Sequence, residues 1–376
     1  MPPFQITNAL NLPGNGLAVT VADFAAALGG GVIQFDAWPG QETETLKRAQ
    51  AAAAVHRIPA RSVLPGKVLP RSAKIRAEAE LGNADGLVAH SFFQSHGIWT
   101  RQMARKYGIP YWLVPGGTLD PLVFQKKGAA KRAWMRLYGH AILRDAAGII
   151  CSTRREAEKI QERFACPVPQ VIHWPVALPD LNDRAACRET LRRQLGLAPD
   201  TRILLFLGRL HEVKRVRELV ETFLQAGCKQ TVLLIAGPDG GELTALKTLA
   251  GNTEKIRFLD YVEGEQKQQL LLGSDGYISL SRKENFGYTA AESLAAGLPV
   301  ILSPGHDLAS ELEQTDCGWL LHSFSAPEAI AALRAFDQAA DQNLAAMGSQ
   351  ARTWAADHLG FERFKTGART FLSVKT

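Results

Sequence analysis

Short apolar runs alternate with amphipathic stretches along most of the chain after residue 80. Buried strands of a parallel sheet have continuous apolar runs, whereas helices repeat their apolar positions every three or four residues. The runs predict eight strands, at 86–90, 111–114, 148–151, 203–208, 231–236, 256–259, 276–279 and 300–302. The amphipathic stretches predict helices at 17–28, 95–106, 131–144, 154–163, 184–195, 215–225, 242–249, 265–272, 288–296 and 326–335.

This alternation is typical of α/β proteins. A chain returns to a parallel sheet through a right-handed crossover, which usually contains a helix. The sequence therefore predicts parallel sheets with helices on both faces. The Pro-rich segment 37–75 shows neither period and receives no assignment.

The chain divides near residues 167–185. This stretch contains four prolines and no helical period, and proline disrupts the interior of a helix. We expect two doubly wound, Rossmann-like α/β domains at 1–172 and 173–355, and a helix at 356–376 that packs back on the N-terminal domain. Ligands bind such sheets at the carboxyl ends of the strands, so the expected site is the central cleft between the facing domains.

The composition excludes several classes of protein. The chain has 376 residues, of which 46% are hydrophobic and 21% charged, close to the average for globular domains. It has no apolar run of membrane-spanning length and no basic N-terminal segment before an apolar core, so we expect neither a span nor a secretory signal. The five cysteines are scattered and never form a Cys-x-x-Cys pair, which favours a reducing compartment and a cytoplasmic protein.

The net charge of +6 is unevenly distributed along the chain. Residues 47–76 contain eight basic residues and no acid, residues 125–165 contain ten basic and four acidic residues, and the halves 1–165 and 166–376 carry +9 and −3. Such a surface can simply be solvated, or it can face an anionic acceptor or an anionic membrane surface. Nucleic acid is a third candidate, but the sequence has no zinc-finger spacing and no aromatic ribonucleoprotein motif, so we expect none to bind.

The segment 279–299, SLSRKENFGYTAAESLAAGLP, contains the most informative pattern. A strand ends here and a helix begins near Gly287. The unpaired N–H groups of a first helical turn attract anions, and a glycine lets a ligand approach the backbone. Glu284 precedes the turn and Glu292 follows it, so both carboxylates are expected to border one pocket with a phosphate between them.

A second polar group follows the strand predicted at 203–208. Arg209 and Lys214 lie in LLFLGRLHEVKR (204–215), and an arginine fork with a lysine point charge suits a diphosphate. Alternatively, the two residues merely begin a surface helix. His90 also has two interpretations, because a histidine that closes an apolar strand is often structural. His211 and His306 are interpreted as surface residues.

These motifs resemble those of the retaining glycosyltransferases of family four, which have the GT-B fold. That family combines a Gly-Arg-Leu…Lys turn with a Glu-(Asn/Gly)-Phe-Gly…Glu…Ala-x-Gly-x-Pro-Val block. This chain has Gly208-Arg209-Leu210…Lys214 and Glu284-Asn285-Phe286-Gly287…Glu292…Ala296-Gly297-Leu298-Pro299-Val300. The segments 90–100, 108–121 and 150–160 are similar to the branch that builds bacterial polysaccharides. The resemblance covers about 85–335, and one departure is Arg215, where the family usually has glycine.

The resemblance implies two sets of site residues. The residues expected to be catalytic are Glu284, His90, Arg209 and Lys214. The residues expected to bind the donor are Gly16, Arg209, Lys214, Tyr261, Val262, Glu284, Asn285, Phe286, Gly287, Tyr288 and Glu292.

Individual roles follow from the same resemblance. Arg209 and Lys214 would bind the donor diphosphate, Glu292 the ribose hydroxyls, and Glu284 the donor sugar. His90 would lie near the reacting sugar. The backbone at 286–288 would contact the sugar and phosphate, a glycine loop at Gly16 would lie near the phosphates, and the backbone at 261–262 would lie beside the base.

The resemblance further implies transfer of a hexose, with retention, from a nucleoside diphosphate sugar to a hydroxyl of a glycan, lipid-linked or other anionic acceptor. Negative charge develops on the leaving phosphate, where Arg209, Lys214 and the helix N-terminus would stabilise it. No Asp-x-Asp pair of the kind used by metal-dependent transferases occurs, so we expect no metal and no other cofactor. No side chain is a clear nucleophile, and we expect front-face displacement in which the leaving phosphate helps to deprotonate the acceptor. The enzyme is expected to be cytoplasmic, with peripheral association at the inner face of the membrane as a further possibility.

Other functions remain open at this point. Gly14-x-Gly16 is followed after twenty residues by Asp36, a spacing typical of NAD-dependent oxidoreductases, although the third glycine position is Val19. A non-catalytic protein on the same scaffold would bind nucleotide without transfer. A nucleotide-sugar epimerase fits the Arg–Lys pair and the two glutamates less well.

Overall fold

The computed structural model describes residues 2–12, 14–36, 42–60, 69–82, 84–125 and 127–373. The chain forms two compact units. Unit 1 comprises Met1–Pro175 and Phe361–Thr376, and unit 2 comprises Val176–Gly360. The two boundaries lie three and five residues after the predicted positions at 172 and 355.

Unit 1 is built on a parallel sheet of seven strands in the order β3-β2-β1-β4-β5-β6-β7. The chain starts in the middle of this sheet, where β1 pairs with both β2 and β4. The strands are β1 Phe4–Thr7, β2 Gly31–Asp36, β3 Ala54–Pro59, β4 Leu87–His90, β5 Tyr111–Val114, β6 Gly148–Cys151 and β7 Gln170–Val171.

Some helices of unit 1 begin where a side chain satisfies one of the first backbone N–H groups. Asn15 accepts a hydrogen bond from the Leu17 amide at 2.9 Å and so starts the first helix, and Thr43 starts the second in the same way. The helices before the unit boundary are α1 Gly16–Leu28, α2 Glu44–Ala52, α3 Arg71–Glu80, α4 Ser95–Tyr107, α5 Gly128–Trp134, α6 His140–Arg144 and α7 Arg154–Gln161. A π-helical turn, Met135–Gly139, joins α5 to α6.

Unit 2 repeats this architecture with a parallel sheet of six strands in the order β10-β9-β8-β11-β12-β13. The strands are β8 Arg202–Leu207, β9 Thr231–Ala236, β10 Ile256–Leu259, β11 Gly276–Ser279, β12 Val300–Leu302 and β13 Gly318–Leu320. The helices are α8 Arg184–Leu195, α9 Val216–Ala226, α10 Leu243–Ala250, α11 Gly264–Gly273, α12 Tyr288–Ala295, α13 Ala309–Leu312, α14 Ala326–Gln338 and α15 Asp341–His358. Strands β8, β9 and β11 are buried along their whole length, as their continuous apolar runs predict.

The last helix, α16 Phe361–Leu372, returns to unit 1. Its Phe364 ring meets the rings of Phe24 and Trp174 edge-on, with centroids 5.0 and 6.1 Å apart. The Arg369 guanidinium donates to the carbonyl of Ala27, at the end of α1, at 2.8 Å. The segment 356–376 is therefore divided, because α15 runs to His358 in unit 2 before α16 begins.

All eight predicted strands are present within one residue of their predicted ends, and the two parallel α/β units confirm the predicted fold class. Two of the strands that the pattern missed, β1 and β2, contain fully buried polar residues. The Gln34 side chain in β2 accepts from the amide of Leu10 at 3.1 Å and donates to Asn11 and Asp36. These internal hydrogen bonds permit polar residues inside the sheet, and they interrupt the apolar run from which a strand is recognised.

None of the helices in the described part of the chain is long and apolar enough to cross a membrane.

Candidate functional site

One edge of the unit 2 sheet gathers most of the predicted site residues. Its strands are all parallel, so the segments that follow β8, β10, β11 and β12 leave from the same edge. Arg209 and Lys214 follow β8, Tyr261 and Val262 follow β10, and the segment 284–288 follows β11.

An ion pair joins the segments after β8 and β11. The Lys214 ammonium donates to Oε1 of Glu284, and about a quarter or less of either side chain is exposed. The amide of Arg282 also donates to the carbonyl of Val213 at 2.8 Å, which fixes the two segments against each other. The two motifs of the sequence, seventy positions apart, thus form one charged cluster.

Arg209 is an exposed cation that forms no hydrogen bond or ion pair with a described residue. The backbone beside it is tightly packed against the loop after β9. A Cβ on Gly240 would lie 2.5 Å from the carbonyl oxygen of Leu210 and 3.0 Å from Cγ of Arg209. The guanidinium is therefore carried by a rigid turn and is available to an anion.

Helix α12 begins at this cluster without a side-chain cap. Gly287, its N-cap residue, has φ +70°, a left-handed conformation that glycine adopts without a steric penalty. The buried ring of Phe286 meets the ring of Tyr288 edge-on at 5.1 Å and packs the turn. The first-turn N–H groups, with Asn285 in the preceding loop, form a site that favours negative charge.

Glu292 lies further along α12 and is held by a residue that the sequence analysis did not identify. The Lys267 ammonium on α11 donates to Oε1 of Glu292 at 2.6 Å. Oε2 of Glu292 is buried and has no hydrogen-bond partner among the described residues. It can therefore accept a hydrogen bond from a hydroxyl group of a ligand. A lysine on a polar helix carries no sequence signal that distinguishes it from a surface residue.

His306 is the second residue that the sequence analysis missed, and its interpretation as a surface residue is wrong. Its side chain follows β12 and is 3% exposed. Nε2 lies 2.8 Å from Oγ of Ser279, and burial lowers the pKa of the ring to about 4. The sequence offers no strand or helix pattern around 303–307 that would predict this burial.

The end of the cluster that follows β10 is more open. Tyr261 is about half exposed, and its hydroxyl donates to Glu263 at 2.9 Å. Val262 is half-buried beside it. Both residues follow β10, at one end of the edge that carries Glu284.

Two predicted residues, Gly16 and His90, belong to unit 1. Gly16 is the first residue of α1. His90 ends β4 and is fully buried, with Nε2 2.7 Å from Oε1 of Gln5 and the ring edge-on to Phe24. Burial lowers the pKa of this histidine to about 3. Nε2 is therefore engaged inside unit 1, whereas Nδ1 has no hydrogen-bond partner among the described residues.

Asp36, the acid that an NAD site would require, is already engaged. It is buried, and its oxygens accept from Asn11 at 3.3 Å, Gln34 at 3.2 Å and Arg57 at 2.8 Å. A ribose hydroxyl would have to displace one of these donors. The geometry therefore counts against the oxidoreductase hypothesis.

Part of the basic segment 47–76 is neutralised in the same way. Lys47 pairs with Glu44, Arg48 pairs with Asp23, and Arg57 pairs with Asp36. Arg61 and Lys67 lie outside the described residues. In the segment 125–165, by contrast, Lys127, Arg132 and Arg136 are exposed.

Arg215 occupies a position where the resemblance leads us to expect glycine, and the backbone shows the reason for glycine. Its φ is +53°, in the left-handed region. Its guanidinium donates a hydrogen bond to Glu218 at 3.0 Å and lies over the Phe324 ring at 4.9 Å. These contacts offset the strain of the backbone.

Across the described residues, no group of three His, Cys, Asp or Glu side chains is arranged to hold a metal ion.

Comparison with known proteins assigns both units. Residues 15–174 match the family model "Glycosyl transferase 4-like domain", and residues 187–354 match "Glycosyl transferases group 1". The fold matches the solved structure of Anabaena Alr3699/HepE in complex with UDP, with a TM-score of 0.79 and 19% identity over the whole of both chains. The chain belongs to the GT-B glycosyltransferases of family four.

The chain is also similar to other glycosyltransferases over part or all of its length. D-inositol 3-phosphate glycosyltransferase of Actinosynnema mirum is 28% identical over 260 residues, 63% of this chain. The alignment spans 61% of that relative, and the alignment with the corresponding protein of Jonesia denitrificans spans 50% of its length. WaaG, a glycosyltransferase involved in lipopolysaccharide biosynthesis, has a TM-score of 0.67 and 16% identity over 98% of this chain and all of its own.

Proposed function

We propose that this glycosyltransferase moves a hexose, with retention and without a metal ion, from a nucleoside diphosphate sugar to a hydroxyl of an anionic acceptor. The observation that carries the proposal is the convergence at one sheet edge of the Lys214–Glu284 pair, the unpaired Arg209 and the uncapped start of α12. Two cations and a helix N-terminus are suited to a diphosphate, and a carboxylate is suited to sugar hydroxyls.

The ribose, the diphosphate and the sugar of a nucleoside diphosphate sugar each have a group suited to them in unit 2. The free Oε2 of Glu292 accepts from a ribose hydroxyl, while Lys267 keeps Oε1 occupied. Arg209 and the first turn of α12 take the diphosphate. Glu284 accepts from hydroxyls of the sugar. The relative HepE was solved with UDP and with UDP-glucose, which supports a donor of this chemical class.

The reaction needs stabilisation of charge more than it needs a nucleophile. The bond between the anomeric carbon and the leaving phosphate oxygen breaks, and negative charge grows on the diphosphate. Arg209 and Lys214 stabilise this charge, which lowers the barrier. The acceptor oxygen bonds to the anomeric carbon from the same face, and its proton passes to the leaving phosphate.

Unit 1 offers a surface for an anionic membrane or a lipid-linked acceptor. The continuous helical segment 128–144 contains no acidic residue. Leu137 and Tyr138 are 68% and 43% exposed in its π-helical turn. The exposed side chains of Arg132 and Arg136 accompany them. Apolar side chains beside cations are the arrangement that inserts into anionic lipid headgroups, so we propose peripheral attachment through this segment.

A turnover assay tests the proposal. The protein would be incubated with UDP-glucose and other nucleoside diphosphate sugars in chelator-treated buffer, with inositol 3-phosphate as one anionic acceptor. We expect release of one nucleoside diphosphate, and a product linkage that NMR shows to have the configuration of the donor. An inverted product, or activity that appears only after a divalent metal is added, would contradict the proposal.

A further inference from the structure

The loop 303–307, which follows β12, is attached directly to the Glu284 segment. The Glu284 amide donates to the carbonyl of Gly305 at 2.7 Å, and the Asp307 amide donates to the carbonyl of Glu284 at 2.9 Å. These bonds form a parallel bridge between Glu284 and His306. A Cβ on Gly305 would lie 2.1 Å from the carbonyl oxygen of Ser281, so only glycine permits this approach.

The His306 ring lies beneath the turn that starts α12. Its Nε2 is anchored on Oγ of Ser279, at the end of β11. Its Nδ1 is buried and has no hydrogen-bond partner among the described residues. A Cβ on Gly287 would lie 3.1 Å from Nδ1 and 3.7 Å from Oε2 of Glu284. The ring and the Glu284 carboxylate therefore both border the space that a side chain at position 287 would occupy.

The charge of this ring decides how Glu284 behaves. Two charged groups act on the ring: Glu284 raises its pKa and Lys214 lowers it. The lowering of the pKa by burial is larger than either effect. While the ring is neutral, the Glu284 carboxylate stays paired with the Lys214 ammonium. A protonated ring would be a competing cation beside Oε2 and would draw the carboxylate toward the protein interior.

We propose that His306 is a positioning residue of the donor site: its neutral ring, anchored on Ser279, supports the turn 284–287 and keeps the Glu284 carboxylate directed at the donor. This inference rests on the proposed donor site and adds a residue that the motifs of the sequence do not contain. His306 acts through Glu284 and Gly287 and does not itself touch the reacting atoms.

The test compares substitutions of the ring with substitutions of its anchor. In His306→Asn the shorter side chain loses the Ser279 contact, and we expect kcat/KM for the donor to fall at least about tenfold. His306→Gln reaches far enough to bond to Ser279 and should recover part of that loss. Ser279→Ala should reproduce the loss, and the Ser279→Ala/His306→Asn double variant should be no worse than His306→Asn alone.

Ser303→Ala is the matched control, because the Ser303 hydroxyl is buried in the same loop but bonds to the carbonyl of Ser281 at 2.6 Å and not to the ring. It should keep kcat/KM within about twofold of wild type, and thermal unfolding of each variant verifies that it is folded. A loss in Ser303→Ala equal to that in His306→Asn would overturn the proposal, because any disturbance of the loop would then suffice.

A second readout needs no variant. Nitrogen-15 NMR of the wild-type protein should show the His306 ring neutral from pH 8 down to about pH 5.5, because burial lowers its pKa. A ring that titrates near pH 6.5 would overturn the proposal. A wild-type protein without turnover would overturn the proposed function as well, whereas an active wild type with an unaffected His306→Asn variant would overturn only the role of His306.

Discussion

The Lys214–Glu284 pair is the central feature at the scale of single residues. The two side chains act in opposite directions on a diphosphate, because the Lys214 ammonium attracts it and the Glu284 carboxylate repels it. Lys214→Ala should therefore weaken binding of the nucleoside diphosphate itself. Glu284→Gln should leave that binding within about threefold of wild type and lower kcat/KM for the donor sugar at least about tenfold, because one good transition-state contact is worth more than ~1.4 kcal/mol.

A second ion pair in unit 2 provides the control. Arg217 and Glu221 on α9 lie 3.7 Å apart and are about half exposed. Arg217→Ala and Glu221→Gln should change neither binding nor turnover measurably, since exposed pairs contribute little. Equal losses in both pairs would show that the effect reflects the overall charge of unit 2 and not a site at Glu284.

Single residues also show where sequence reasoning stops. Arg209, Lys214, Glu284 and Glu292 are found because each sits in a motif with a fixed distance from a strand end. Lys267 and His306 have no such signal, since one lies on a polar helix and the other in an irregular loop. Their place beside Glu292 and Glu284 depends on which strands are neighbours in the sheet, and the linear pattern does not specify this.

At the scale of elements, the helical segment 128–144 carries the membrane prediction. Replacing both Arg132 and Arg136 by alanine should weaken sedimentation with phosphatidylglycerol vesicles about thirtyfold at low salt, because each basic residue near an anionic surface contributes ~1 kcal/mol. Vesicles of phosphatidylcholine alone should bind weakly and without dependence on salt.

An apolar substitution separates insertion from simple attraction. Leu137→Glu should also reduce vesicle binding, whereas Leu224→Glu, at a leucine that is 40% exposed on α9 of unit 2, should not. If both variants bind vesicles as wild type does, this segment is not the membrane-binding surface.

The elements of the chain differ in how well the sequence predicts them. Buried strands such as β9 and β11 have no competing pattern, and their ends were predicted to the residue. Within the first 80 residues, the pattern predicts only α1. It misses β1 and β2 because Gln5, Gln34 and Asp36 interrupt their apolar runs. These polar side chains form hydrogen bonds with one another or with nearby backbone groups. Strand β3 has largely half-buried residues and so resembles a loop in sequence.

At the scale of the whole molecule, unit 1 is completed by a helix nearly two hundred residues further along the chain. Phe364 of α16 is 2% exposed against Phe24, whereas Phe361 on the same helix is 36% exposed. Phe364→Ala should lower the free energy of unfolding of unit 1 by about 3–5 kcal/mol, and Phe361→Ala should cost less than about 1 kcal/mol. Calorimetric unfolding of both variants provides the measurement, and equal effects would mean that α16 does not stabilise unit 1.

The proposed activity depends on a nucleoside diphosphate site at the carboxyl edge of the unit 2 sheet. The most direct measurement is calorimetric titration of UDP, GDP, ADP and NAD into the wild-type protein and the Lys214→Ala variant, in chelator-treated buffer. We expect one nucleoside diphosphate to bind without metal, and to bind at least about tenfold more weakly to Lys214→Ala. Binding of NAD alone, or of none of the four ligands, would contradict the proposed donor site and leave the fold without the proposed chemistry.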